Sequence, residues 1–187
     1  MKDSSIIQKL KDGNAAFLSG EKPVGNISPD LRKALSENGQ SPYAVIITCS
    51  DSRVVPEYIF SASPGDLFII RTAGCVVDDF ERGTVEYGVR HLGSKLVCVM
   101  GHTKCGAVGA AMHSHGEEPE ALTILVGEVK SAIGDEQDSY TAIKLDTQNS
   151  IKRLKESTYL KEQAASGDIE IIGAMYDIDT GAVEFFE

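Results

Sequence analysis

The chain has 187 residues, enough for one compact α/β domain, taken here to span 1–187. Apolar residues make up 42% and charged residues 25%, with a formal net charge of −10, a balance that argues against nucleic-acid binding. No apolar run reaches the roughly eighteen residues of a membrane-spanning helix, and Met1–Ser5 lacks the apolar core and cleavage site of an export leader, so a cytoplasmic protein with no membrane partner is expected.

The first eighteen residues place Ile6, Ile7, Leu10, Phe17 and Leu18 on a helical stripe. A polar stretch with Pro23, Gly25 and Pro29 leads to a short helix around Leu31–Ser36. Ala44–Thr48 is a short β-branched run and predicts a buried strand, and Leu67–Arg71 predicts a second, entered from the turn Ser63-Pro64-Gly65-Asp66. Residues 82–92 carry Val85, Val89 and Leu92 on one helical face, and Lys95–Met100 predicts a third strand. Residues 113–140 are polar and acidic, with His113 and His115 in a solvated loop and one helix over Ala121–Ile133; another helix is expected over 146–164. Ile169–Ile178 and Ala182–Phe186 predict two final strands joined through Asp179-Thr180-Gly181, which has hairpin-turn chemistry. Continuous apolar strands alternating with helices predict the α/β class: a mostly parallel central sheet flanked by helices, with a C-terminal hairpin strand.

Two of these strands run into chemistry. The first leads to Cys49-Ser50-Asp51-Ser52-Arg53, the third to Gly101-His102-Thr103-Lys104-Cys105-Gly106. Ligands of open parallel sheets bind at the carboxyl ends of strands, so the two clusters are positioned to meet. Two cysteines and a histidine form a known zinc set that leaves a fourth position open. His102 and Cys105, three apart, can reach one ion from a single turn, with Cys49 arriving from the neighbouring strand. Gly101 and Gly106 let backbone pack close to the pair. Asp51 and Arg53 are suited to a charge-assisted pair that aims the carboxylate at a zinc-bound water. A lone cysteine is usually a small buried hydrophobe and a lone histidine is usually structural, so spacing alone leaves a zinc site and buried thiols both open. With four cysteines and no export leader, disulfides are the poorer reading. The glycine spacing of 101–106 fails as a phosphate loop, because Ala107-Val108 follows instead of Lys-Ser/Thr.

Taken together, Cys49-Ser50-Asp51-Ser52-Arg53-Val54 and, about fifty residues on, Gly101-His102-Thr103-Lys104-Cys105-Gly106 resemble the β-carbonic anhydrases. Leu10-Lys11-Asp12-Gly13-Asn14, Arg71-Thr72-Ala73-Gly74, Glu86-Tyr87-Gly88-Val89 and Tyr176–Gly181 resemble further segments of that family, so the likeness covers nearly the whole chain. The resemblance implies one zinc ion per chain on Cys49, His102 and Cys105, with Asp51 and Arg53 as the catalytic dyad. It implies reversible hydration of carbon dioxide to bicarbonate and a proton. Gln40, Phe80, Tyr87 and Gly106 would contact substrate, and Tyr87 and His91 match plant-type positions linked to proton transfer. The family builds its site at a dimer interface, which implies a homodimer or a dimer of dimers, with Phe80 and Tyr87 lining the partner's pocket. Some members bind zinc through the Asp and carry a regulatory bicarbonate pocket with a tryptophan; this chain has no tryptophan, so Asp51 is expected to pair with Arg53. Thr72 replaces the family's usual Asn, and Cys75 is an extra thiol, expected with Cys98 to be buried and free. The alternatives are hydrolysis of carbon disulfide or carbonyl sulfide on the same site, and a non-catalytic zinc-stabilised binding protein with Asp51 or Cys75 as fourth ligand.

Overall fold

The computed structural model describes residues 4–20, 24–113 and 118–186. A five-stranded sheet in the order β2-β1-β3-β4-β5 forms its centre. Strands β1 (Ala44–Cys49), β2 (Leu67–Thr72), β3 (Leu96–His102) and β4 (Glu170–Tyr176) run parallel, and β5 (Val183–Phe186) is antiparallel to β4 at the edge. The α/β class, the mostly parallel sheet and the C-terminal hairpin strand match the expectation from sequence.

The unbroken apolar runs of β1 and β3 have a physical cause: alternate side chains feed two different cores. Val45, Ile47, Cys49, Val97 and Val99 point into one, with Val85 of α4 (Asp79–Arg90), Val108 of α5 (Gly106–His113), Val129 of α6 (Glu120–Ile133) and Ile143 of α7 (Ser139–Leu154). Ala44, Ile46, Leu96, Cys98 and Met100 point into the other, against Leu10 of α1 (Ser4–Ser19) and Ile59 of α3 (Pro56–Ile59). Leu10 and Ile46 have no exposed surface, and each such side chain contributes about 1.5–3 kcal/mol through burial. Gly101 lets α7 approach the sheet, since a Cβ there would stand 2.3 Å from Thr147 Oγ1.

Several boundaries differ from the sequence reading, each for a local reason. The short helix after the polar stretch is longer, α2 (Pro29–Asn38), because Ser28 caps it by accepting from Leu31 N–H. The expected helix over 146–164 is two helices. Helix α7 begins at Ser139 under an Asp138 cap and ends at Leu154; α8 (Thr158–Ser166) restarts where the Ser157 side chain accepts from Leu160 N–H. Helix α4 begins at Asp79 behind a reciprocal Asp78/Glu81 capping box. Strand β3 does not stop at Met100: Gly101 and His102 continue the ladder opposite Met175 and Tyr176. Helix α5 carries His113 at its exposed C-terminal end, so His113 is helical and not in a loop. His115 lies outside the described residues.

Candidate metal centre

Register brings the two motifs together. Thr48 of β1 pairs with Met100 of β3, so Cys49 ends one step further on, level with Gly101 and just short of His102. The turn from β3 into α5 then delivers Cys105. The two sulfurs and a ring nitrogen of His102 lie within 4.8 Å of one another, and all three residues are buried.

The donors are set up for a cation. His102 Nδ1 is 2.9 Å from the Thr103 carbonyl, which only accepts, so Nδ1 carries the proton and Nε2 keeps its lone pair. Nε2 is buried and has no hydrogen-bond partner among the described residues, an arrangement that costs about 1–3 kcal/mol if nothing satisfies it. Cys49 is drawn down to about 4, chiefly because the Cys105 thiol donates to its sulfur, against burial and with help from the neighbouring His102 ring and then from the Asp51 and Gly74 backbone N–H groups. Cys105 is correspondingly pushed up, since it keeps the shared proton. A lone pair and two sulfurs holding a single proton fit a divalent metal that takes thiolate and imidazole ligands, zinc foremost. The donor set therefore fits the expected ion.

Beside this group, Arg53 grips Asp51. Its Nε donates to Oδ1 at 2.9 Å, its Nη2 to Oδ2 at 2.7 Å, and its backbone N–H to Oδ1 at 2.9 Å. These bonds hold the Asp51 carboxyl well below the usual carboxylate range. Nη2 also reaches the Lys104 carbonyl at 3.1 Å, tying the Cys49 loop to the His102–Cys105 turn. Arg71 fixes the same loop from β2, donating to the carbonyls of Cys49 (3.1 Å) and Asp51 (2.6 Å). The expected pairing of Asp51 with Arg53 is thus present. Cys75 and Cys98 are buried free thiols, and the Cys75 thiol donates to the Met100 carbonyl at 3.4 Å, outside the three-donor group.

The remaining candidates lie elsewhere. Gly106 is exposed at the first position of α5, next to Cys105. Gln40 is exposed and lines a surface cavity of about 380 Å³ with Leu31, Leu35 and Pro64. Tyr87 of α4 and His91, which caps its C-terminal end, are both exposed, ring centroids 5.1 Å apart, with Tyr87 also 6.1 Å from Phe68 of β2. Phe80, at the start of α4, is 84% exposed. Within one chain the structure brings together Cys49, His102, Cys105, Asp51 and Arg53, and leaves Gln40, Phe80, Tyr87 and His91 on the outside.

Sequence reasoning missed two groups here. Arg71 was part of a matched motif, which was its only signal. Asp146, on the inward face of α7, is 3% exposed; burial first, then the Cys49 charge, pushes it up to about 8.

Comparison with known proteins gives a consistent result. A family model described as carbonic anhydrase matches residues 44–183. Carbonic anhydrase 2 of Mycobacterium tuberculosis is 35% identical over 181 residues, covering 92% of this chain and 87% of that protein. A carbonic anhydrase of Mycolicibacterium smegmatis is 34% identical over 187 residues, covering 94% and 89% respectively. Among solved structures, the β-carbonic anhydrase CafA of Aspergillus fumigatus matches with a TM-score of 0.75 at 26% identity, over 100% of this chain and 91% of that one. One of two tetrameric β-carbonic anhydrases of Sordaria macrospora matches with a TM-score of 0.74 at 25% identity, over 98% of each chain.

Proposed function

The chain belongs to the carbonic anhydrase family, in its β class, and from that premise we propose that it catalyses the zinc-dependent, reversible hydration of carbon dioxide to bicarbonate and a proton. The observation that carries the proposal is the unpaired, buried Nε2 of His102 beside the sulfurs of Cys49 and Cys105. Those three atoms would hold one zinc ion per chain, which when bound supplies an acidified water as the nucleophile.

The chain's own residues then divide the work. Asp51 is ionised and accepts a hydrogen bond from the nucleophile, orienting it toward the carbon of carbon dioxide. Arg53 occupies both Asp51 oxygens, so the carboxylate keeps one orientation and does not swing to become a ligand. The Thr103 carbonyl holds the His102 proton on Nδ1, a contact that fixes ring orientation and tautomer. Gly106, without a side chain, leaves room for substrate beside Cys105.

The site is completed by a second copy of the chain. Phe80, Tyr58 and Tyr87 are exposed aromatics at 84%, 51% and 48%, apolar surface that a partner copy would cover. In a homodimer or dimer of dimers, Phe80 and Tyr87 would line the partner's pocket, and Gln40 would contact substrate. Tyr87 and His91, whose rings already touch, would pass the product proton to solvent. We place the activity in the cytoplasm, where the four free cysteines stay reduced. No helix among the described residues is long and apolar enough to cross a membrane.

Stopped-flow assay of the zinc-loaded protein against carbon dioxide, carbonyl sulfide and carbon disulfide tests the reading. Carbon dioxide is expected to be turned over fastest by a wide margin. Faster turnover of either sulfur compound would reassign the substrate, and no turnover of any would leave a zinc-stabilised binding protein. The engagement of Asp51 with Arg53 and of Cys75 with Met100 speaks against the closed four-ligand site that last case requires.

A further inference from the structure

The His102–Cys105 turn is shaped by parts of the chain that never touch the donors. Thr103 makes three bonds. Its carbonyl takes the Nδ1 proton of His102 at 2.9 Å. Its backbone N–H donates to the Tyr176 carbonyl at the end of β4 at 2.9 Å. Its hydroxyl accepts from the Ile178 N–H at 3.0 Å. The next residue, Lys104, sits in the left-handed region at φ +59°, a conformation unfavourable by roughly 1 kcal/mol for a residue with a Cβ. Two contacts hold it there: its ammonium pairs with Asp179 of the β4–β5 turn at 2.6 Å, and its carbonyl accepts from Arg53 at 3.1 Å.

The β4–β5 turn is itself clamped from the other side. Asn14 of α1 is 6% exposed. Its Nδ2 donates to the carbonyls of Gly181 (2.9 Å) and Ile59 (3.2 Å), and its Oδ1 accepts from Val183 N–H at 3.1 Å. Within the turn, Asp177 N–H donates to the Ala182 carbonyl, and Gly181 N–H donates to the Asp177 carbonyl. A continuous hydrogen-bonded path therefore runs from Asn14 through the turn and Thr103 to the ring of His102.

We propose that Thr103 is a positioning residue for the metal centre, and that the β4–β5 turn, locked by Asn14, is the mould that sets the distance and angle between His102 and Cys105. The inference rests on the zinc reading above. Two donors three residues apart can reach one ion in only a few backbone conformations, and the one adopted needs an unfavourable φ at Lys104. Left to itself the turn would relax and lose its bite on the ion. The mould prevents this, and Thr103 is where it grips, because its backbone and hydroxyl both bond to the 176–178 segment while its carbonyl bonds to the ligand ring.

The test measures zinc release from the loaded protein into an excess of a chromophoric chelator, alongside the visible spectrum of the cobalt-substituted protein and the melting temperature. Thr103→Val removes the hydroxyl and keeps the shape. It leaves the carbonyl on His102 in place but removes the bond that seats it, so it is expected to release zinc several-fold faster and to shift the cobalt bands. Thr103→Ser should restore both. Asn14→Ser, which touches neither donors nor turn residues 103–105, should also quicken release, by a smaller factor. Leu160→Val, in the core beneath α8 and far from the turn along the chain, serves as a control: it should lower the melting temperature without changing release or spectrum. Equal release from Thr103→Val and wild type, or faster release from Leu160→Val in proportion to its lost stability, would overturn the proposal. If Thr103→Val does not fold, Asn14→Ser decides in the same way. A wild type that binds no zinc would overturn the functional reading and this proposal with it; a wild type that holds zinc firmly while the variants match it would overturn this proposal alone.

Discussion

Both oxygens of Asp51 are taken by the guanidinium of Arg53, at 2.9 and 2.7 Å. A two-pronged bond of this kind fixes direction as well as charge, so Asp51 points one way and accepts from whatever stands in front of it. Asp51→Asn keeps the shape but turns one acceptor into a donor. Carbon dioxide hydration should fall about 100-fold or more, the usual scale for a positioned proton acceptor, while zinc content stays at wild-type level. Unchanged activity in Asp51→Asn would remove Asp51 from the mechanism; loss of zinc would make it a ligand.

The charge of the donor set bears on pH. Two thiolates offset the double charge of zinc, so water at this site should be less acidic than at a site of three neutral histidines, where its pKa is near 7. Activity should therefore climb through and above neutral pH. A rate that stays flat from about pH 6 to about pH 9 would contradict this.

The rings of Tyr87, on α4, and His91, at its C-terminal cap, meet at 5.1 Å with a 37° tilt on an exposed face. His91→Ala should lower kcat several-fold with little effect on kcat/KM, because the proton exit is slowed and the attack on carbon dioxide is not. Added imidazole should restore the lost rate. If imidazole has no effect, His91 does not carry the proton.

Asp146 supplies a stability prediction of definite sign. In the metal-free protein its folded pKa is pushed up to about 8, first by burial and then by the charges of Cys49 and Glu128, while in the unfolded chain it titrates near the ordinary ~3.9. Between those values the folded state binds more protons than the unfolded state, so Asp146 makes stability fall as pH rises from about 4 to about 8, by up to roughly 5 kcal/mol, and then level off. Asp146→Asn should abolish this slope and exceed wild type in stability at alkaline pH. Urea denaturation of both metal-free proteins across that range provides the check, and parallel stability curves would refute the assignment.

Much of the fold was legible because β1, β2 and β3 are continuous apolar runs of strand length, and both motifs sit at their ends. The least legible helices were the short ones. Helix α5, Gly106–His113, holds two glycines and no apolar period; it forms because the turn from β3 launches it against α6 and α7. The break between α7 and α8 was hidden because apolar spacing continues past Leu154 to Leu160, and only the cap at Ser157 marks it. In the site, Cys49, His102, Cys105, Asp51 and Arg53 stood out at the strand ends, but spacing alone left buried thiols equally open, and the family resemblance singled out the ligand set. Asp146 was not, because a polar residue on a helix reads as solvated, whereas Asp146, Thr147 and Ser150 all face inward on α7. Nor was the role of Thr103, which depends on the β4–β5 turn more than seventy residues away.

Zinc content and carbon dioxide hydration measured on one preparation, before and after chelation and after zinc is restored, test the central claim most directly. One zinc per chain is predicted, with activity that disappears as the metal leaves and returns with it, and with Cys49→Ser deficient in both. Full hydration activity in protein stripped of metal, or a wild type that takes up no zinc when it is supplied, would contradict the account.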